Sequence, residues 1–132
     1  MIDVSAVSIE RGDCVWLTTD PNLVRARERG RALAETLGFS SIDQASVETT
    51  IAELAMNMLT YARSGEIRIE ALTEDGSTGL RIVARDWGSA KAGLPLPDVQ
   101  RLADDFDVQR REGRGIVITL TKWLRSAKTS AA

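Results

Sequence analysis

The sequence predicts an α+β domain, with helices packed on one face of a mixed or antiparallel sheet. Three observations carry this. Two long segments repeat their apolar residues every three or four positions, as helices do. Several short segments instead alternate apolar and polar residues, as half-buried strands do. Their order, strands then two helices then strands again, places helices to one side of a sheet rather than between parallel strands.

Each element has its own local reasons. "VSAVSIERGDCVWLTTD" reads as a hairpin, with Val4–Ile9 and Cys14–Thr19 flanking a turn at Gly12-Asp13. "DPNLVRARERGRALAETLG" starts a helix with Asp20 as cap and Pro21 in the first turn. Leu23, Ala26, Leu33 and Leu37 form its inner face, Gly38 stops it, and Gly30 is a small fault costing up to ~1 kcal/mol against Ala. The next helix begins at Ser40/Ser41 with Asp43 and extends to Gly65, with Val47, Ile51, Leu54, Ala55, Met58 and Ala62 on a broad apolar face.

"EIRIEAL" (66–72) and "LRIVARD" (80–86) read as paired strands around the turn "TEDGSTG". A short helix follows near Pro97, with Val99, Leu102, Ala103 and Phe106 inward, and "ADDFD" is its solvated acidic end. "GIVITLTKWL" is a β-branched closing strand. The expected organisation is one domain over residues 1–125 and a loose tail over 126–132.

Composition narrows the function. At 132 residues, 43% hydrophobic and 27% charged, the chain holds enough apolar material for a single core. A net charge of −2 argues against nucleic-acid binding through bulk charge. No apolar run approaches the ~18 residues of a membrane span, and the first residues lack a signal peptide's pattern. The expectation is a soluble cytoplasmic protein without nucleic-acid or membrane partners. There is no histidine and one cysteine. Ser-His and Cys-His nucleophile pairs are therefore absent, as are metal sites built on imidazole or several thiolates. Carboxylates, amides, hydroxyls, lysines or an added metal held by oxygen ligands must carry any chemistry.

The stretch that invites chemistry is "ELAMNMLTYA" (53–62). Residues four apart share a helix face, so Glu53 and Asn57 stack in a column with Thr49 and Tyr61. Such a column on a generic helix is a solvated face. Here apolar Met56 and Leu59 flank it, and the later strand ends in "ARDWGSA", a carboxylate before a glycine loop of the kind that holds ligands.

These motifs carry a resemblance. "GFSSIDQASVETTIAELAMNMLTYA", "LRIVARDWG", "AGLPLPDVQRLADDFDV" and "TKWLR" resemble the RsbT-type switch kinases of bacterial stressosomes, of the GHKL ATPase/kinase superfamily. The resemblance spans nearly the whole chain and implies a GHKL (Bergerat-type) two-layer sandwich. It implies ATP and Mg as cofactors, with Glu53 as general base on a serine or threonine hydroxyl and Asn57 as the magnesium ligand. It makes Asp86 the adenine reader, with Gly88 and Gly93 beside the nucleotide; Lys91 is either a partial substitute for the family's phosphate-binding turn or a solvated loop lysine. The implied partners are a STAS-domain protein as phosphoryl acceptor and a PP2C-type phosphatase or cyclase as downstream effector. Some relatives dimerise through the first helix, so the resemblance also allows a homodimer.

The pattern departs from the family in one region. The D-x-G-x-G box reads "DWGSA", with Ala90 in place of the second glycine, and only residues 87–92 separate Asp86 from Gly93. In the family that interval holds a mobile ATP lid. "GRG" (113–115) is kept, with Ile116 where threonine is usual. Two readings therefore stand: an active kinase, or a lid-less module that acts by sequestration and release.

The remaining features have bland readings. Arg25, Arg27, Arg29 and Arg31 form a basic cluster, either a solvated face or a docking surface for an acidic partner. Trp16 and Trp123 are expected in core or rim packing, Trp87 near the candidate groove, and Cys14 as an inert buried thiol.

Overall fold

A computed structural model describes residues 7–61, 64–86, 97–111 and 115–124. Its elements in chain order are β1 (Val7–Leu17), α1 (Asp20–Leu37), α2 (Ser41–Tyr61), β2 (Gly65–Glu74), β3 (Ser77–Asp86), α3 (Pro97–Leu102), β4 (Asp105–Arg111) and β5 (Gly115–Trp123). The strands form one sheet in the order β1-β2-β3-β5-β4, and every pairing is antiparallel. Helices α1 and α2 pack on each other and on β1, β2 and β3. Between helices and sheet lies a single core centred on Ile51, Leu54, Ile67, Ile69, Leu80, Ile82 and Leu120. The α+β expectation holds, and no described helix is long and apolar enough to cross a membrane.

The expected N-terminal hairpin is instead one strand. β1 runs through Gly12 and Asp13, which pair with Glu70 and Ile69, and its irregularity is a register shift between Ile9 and Arg11. A lone two-stranded hairpin is marginal in water, whereas a long strand on β2 satisfies its backbone along its length. Helix α1 begins one residue earlier than expected. Thr19 is the cap, and Asn22 Oδ1 accepts from the N–H groups of Thr18 and Thr19 at 3.1 and 3.0 Å. Asp20 then sits in the first turn, where its charge suits the helix dipole.

Gly38 closes α1 in the left-handed conformation (φ 96°), as its position implies. Gly30 is no fault. A Cβ there would lie 2.1 Å from Ile51 Cδ1, so glycine is what lets α1 approach α2. The arginine cluster is largely engaged at this seam: Arg27 and Arg31 reach Glu48 of α2 at 3.5 and 3.0 Å, and Arg29 reaches Asp13 of β1 at 2.9 Å.

Helix α2 is described to Tyr61, and Gly65 opens β2 rather than ending the helix; Ala62 lies outside the described residues. β2 and β3 meet through the two-residue turn Asp75-Gly76, both at positive φ, as an Asp-Gly hairpin requires. The expected helix end at "ADDFD" is a further correction. α3 stops at Leu102, and Asp105 begins the edge strand β4. Half-buried Phe106 and Val108 alternate with exposed Asp105, Asp107 and Gln109, a period of two that a helix cannot present. Asp104 and Asp105 are not merely solvated, because Asp104 Oδ2 accepts the Trp123 N–H at 2.7 Å and Asp105 Oδ2 accepts Trp123 Nε1–H at 3.2 Å.

Trp16 is not packed inward. It stands on β1 at 60% exposure, on the sheet face away from the helices. Cys14, two residues earlier, is likewise exposed rather than buried. Its sulfur nonetheless rests against the buried Glu66, donating to Oε2 at 2.8 Å. Desolvation of the sulfur, then the bond to and charge of Glu66, push the thiol up from 9.0 to about 11. Only thiolate reacts, and the greater nucleophilicity of a more basic thiolate offsets part of its scarcity, so iodoacetamide at pH 8 is expected to alkylate Cys14 at least about tenfold more slowly than a free peptide thiol. Glu66→Gln should speed the reaction; alkylation of the wild type at the free-thiol rate would refute this environment.

Candidate functional site

The expected site residues fall into two groups. Glu53, Asn57 and Asp86 are described; Gly88, Lys91 and Gly93 lie outside the described residues, as does Trp87. Glu53 and Asn57 are half-buried on successive turns of α2, at the border between its core face and solvent. That border position follows from the sequence: Leu54, Ala55 and Met58 turn inward beside them, while Met56 and Thr60 turn out. Both polar groups are therefore held by a helix whose other side is locked in the core.

Asp86 ends β3 and is 5% exposed. A carboxylate this buried needs hydrogen bonds, and Ile116 N–H donates to its Oδ1 at 3.3 Å. Among the described residues no buried side-chain nitrogen or oxygen lacks a partner.

Two glycines draw these elements together. Gly65 is paired with Asp86 across the β2–β3 ladder. A Cβ on Gly65 would meet Met58 Sδ at 2.5 Å and lie 3.4 Å from Asp86 Cα, so the residue after Asn57 reaches to the strand end that carries Asp86. Gly115, at φ 92°, is the closer contact. A Cβ there would stand 2.2 Å from the Asp86 carbonyl oxygen and 2.7 Å from its Oδ1. Only glycine adopts this φ freely and also lets β5 come this near. Gly115 is visible in the sequence as the end of "GRG"; its close approach to Asp86 is not, because the contact joins positions far apart in the chain.

The structure thus brings Asp86 and the C-terminal half of α2 to one end of the sheet. A second feature opens beside the N-terminal half of α2. A groove of about 600 Å³ lies between that half-helix, the end of α3 and Lys122 of β5. Sequence reading missed it, because Arg101 and Lys122 are separated in the chain from the helix they face.

Comparison with known proteins bears on this arrangement. Residues 15–122 match the family model described as histidine kinase-like ATPase domain. The serine/threonine-protein kinase RsbT of Bacillus subtilis (strain 168) is 39% identical over 128 residues, covering 85% of this chain and 96% of that protein. A crystal structure of RsbU and RsbW domains from Mycobacterium tuberculosis superposes with a TM-score of 0.63 at 20% identity. That match covers 89% of this chain and 34% of the longer one, and it supports the fold.

Proposed function

The chain belongs to the histidine kinase-like ATPase family, as an RsbT-type GHKL member, and from that premise we propose that it is a regulatory serine/threonine kinase. It binds ATP with magnesium, phosphorylates a STAS-domain partner in the cytoplasm, and then turns to a PP2C-type phosphatase or cyclase effector. The observation that supports this reading is the approach of Met58, the residue after Asn57, to Gly65, which pairs with the buried Asp86 beside Gly115.

The donor chemistry fits the nucleotide. Asp86 presents carboxylate oxygens, which accept from an exocyclic amine, and its burial makes that acceptance selective. The amide oxygen of Asn57 is a hard ligand suited to a magnesium ion that arrives on phosphates. Magnesium bound there would neutralise charge on the transferring phosphoryl group.

Glu53, one turn away on the acceptor side, takes the proton of the acceptor hydroxyl. The hydroxyl oxygen then bonds to the γ-phosphorus as the bond to the β-phosphate oxygen breaks, and ADP leaves with that electron pair. Gly88, Gly93 and Lys91 complete the proposal as neighbours of base and phosphates. A homodimer is compatible with it.

One observation favours the second reading, a module acting by sequestration and release: the short interval from Asp86 to Gly93, which leaves little chain to cover the phosphates. The deciding experiment is incubation with γ-labelled ATP, magnesium and the STAS-domain protein of a partner-switching system. Label on a serine or threonine of that protein, absent without magnesium, is the expected result. Binding of the STAS protein without label and without any nucleotide effect would replace the kinase by the module.

A further inference from the structure

Helix α2 differs from α1 in what it turns to solvent. α1 carries charge outward, with Arg25, Glu28, Arg29, Arg31 and Glu35 all exposed. On α2, Ile42, Ala45, Thr49, Ala52 and Met56 follow one another at steps of three and four, the spacing of a helix–helix seam. At about 100° per residue they fall within about 60° of Thr49 on the circumference. Val47, Ile51 and Met58 lie opposite, in the core. Ile42 is 77% and Met56 57% exposed, Ala45 and Thr49 are exposed, and Ala52 is half-buried. Glu53 is the one charged residue on this outer arc. A helix that is apolar on both sides is ordinarily covered on both.

The order of side-chain sizes selects the occupant. Ile42 and Met56 each lie seven residues from Thr49, with an alanine four residues before it and another three after. A two-fold axis at Thr49, with the helices antiparallel, therefore sets Ile42 against the partner's Met56 at both ends of the contact. The alanines meet between them, where small side chains let two helix axes come close. Charge agrees with this occupant. Glu53 stands four residues past the axis, so the two carboxylates are about 12 Å apart along it. Each faces the partner's Ala45 and Ser46 rather than a like charge. Glu48, on the flank toward α1, is engaged with Arg27 and Arg31. A foreign partner would need none of this symmetry.

We propose that α2 pairs antiparallel with α2 of a second copy of this chain, and that the pairing covers Glu53. This contact is distinct from a dimer through the first helix. The stretch from Ile42 to Met56 spans about 21 Å, and one helix pair of that length falls short of the about 800 Å² per partner of a standard stable complex. The dimer is therefore weak and reversible, with a dissociation constant on the order of 10–100 μM. The pairing stands apart from the kinase reading. Its consequence rests on that reading, since a covered Glu53 is closed to an acceptor hydroxyl.

Sedimentation equilibrium of the purified chain, from micromolar to millimolar concentration, reads the association. Carbodiimide labelling of Glu53, followed by mass spectrometry, reports whether dimerisation covers it. The variants are Ile42→Lys, Met56→Glu and the double variant, at exposed positions, with Val24→Glu on the exposed surface of α1 as control.

Each single variant should weaken the dimer by about tenfold or more. The double variant sets lysine against the partner's glutamate at both ends, and should associate about fivefold or more tightly than either single. Val24→Glu should match the wild type. Labelling of Glu53 should fall as the wild type passes from monomer to dimer, and stay constant in Ile42→Lys. A wild type that is monomeric at millimolar concentration would overturn the proposal, as would a dimer indifferent to both single variants or not regained in the double. Loss on Val24→Glu with the α2 variants unchanged would move the contact to α1. Labelling of Glu53 that ignores dimerisation would overturn its covering. Absence of phosphoryl transfer to a STAS-domain protein would remove the kinase reading, and sedimentation and labelling would still decide the pairing.

Discussion

Glu53→Gln is expected to lower the rate of phosphoryl transfer to a STAS-domain partner by about 10²–10⁴-fold, the range typical for loss of a general base. The amide keeps the size of the carboxylate but does not take the proton. Glu53 is half-buried on a helix whose neighbours Leu54 and Ala55 are in the core, so the exchange leaves the backbone in place. Mg-ATP affinity should therefore stay within about threefold, because Asn57 and Asp86, not Glu53, are assigned to the nucleotide. A split of this kind, with kcat lost and binding kept, marks a residue that acts on the acceptor. A variant that phosphorylates at the wild-type rate would remove Glu53 from the chemistry.

The second large effect is expected at Gly115→Ala. Two costs add there. The backbone sits at φ 92°, which an L side chain adopts at a penalty of about 1–2 kcal/mol. The new Cβ would also meet the Asp86 carbonyl at 2.2 Å, a backbone atom that cannot swing aside, and overpacking of this kind costs about 1–3 kcal/mol. The expected destabilisation is about 2–5 kcal/mol by urea unfolding, with loss of the Ile116 N–H to Asp86 bond and of nucleotide affinity. Gly76→Ala separates the two costs. Gly76 is at φ 83° with nothing within 4 Å of the added Cβ, so it carries the conformational penalty alone. If Gly115→Ala costs no more than Gly76→Ala, the close approach of β5 to Asp86 is not what constrains this glycine.

What the sequence reveals, and what it hides, divides along contact range. α1 is legible because its signals are local: a cap region before Pro21, apolar residues three and four apart, and Gly38 at the stop. The β2–β3 hairpin is legible for the same reason, since Asp75-Gly76 names its own turn. β1 is misread as a hairpin because Gly12-Asp13 looks like a turn until β2 offers it a partner. β4 is hidden in a stretch whose acidic residues suggest a helix end, and only its pairing with β5 makes the alternation of Phe106 and Val108 count. Gly30 shows the same limit, because its need for a missing Cβ comes from Ile51 on the next helix.

The site follows this division. Glu53 and Asn57 are found by helical spacing, and Asp86 by its place at a strand end. Gly65 and Gly115, which bring Met58 and β5 against Asp86, act through contacts that no spacing rule encodes. The groove beside Thr50 draws its cations from α3 and β5, and it exists only once the sheet is assembled.

The central claim is that Asn57 and Asp86 form a working nucleotide site despite the short interval after Asp86. Calorimetric titration of the purified chain with Mg-ATP and Mg-ADP, beside Asn57→Ala, tests it most directly. Micromolar binding by the wild type that is lost in the variant is the result expected here. No heat up to millimolar nucleotide would contradict it and leave a protein that works through what it holds.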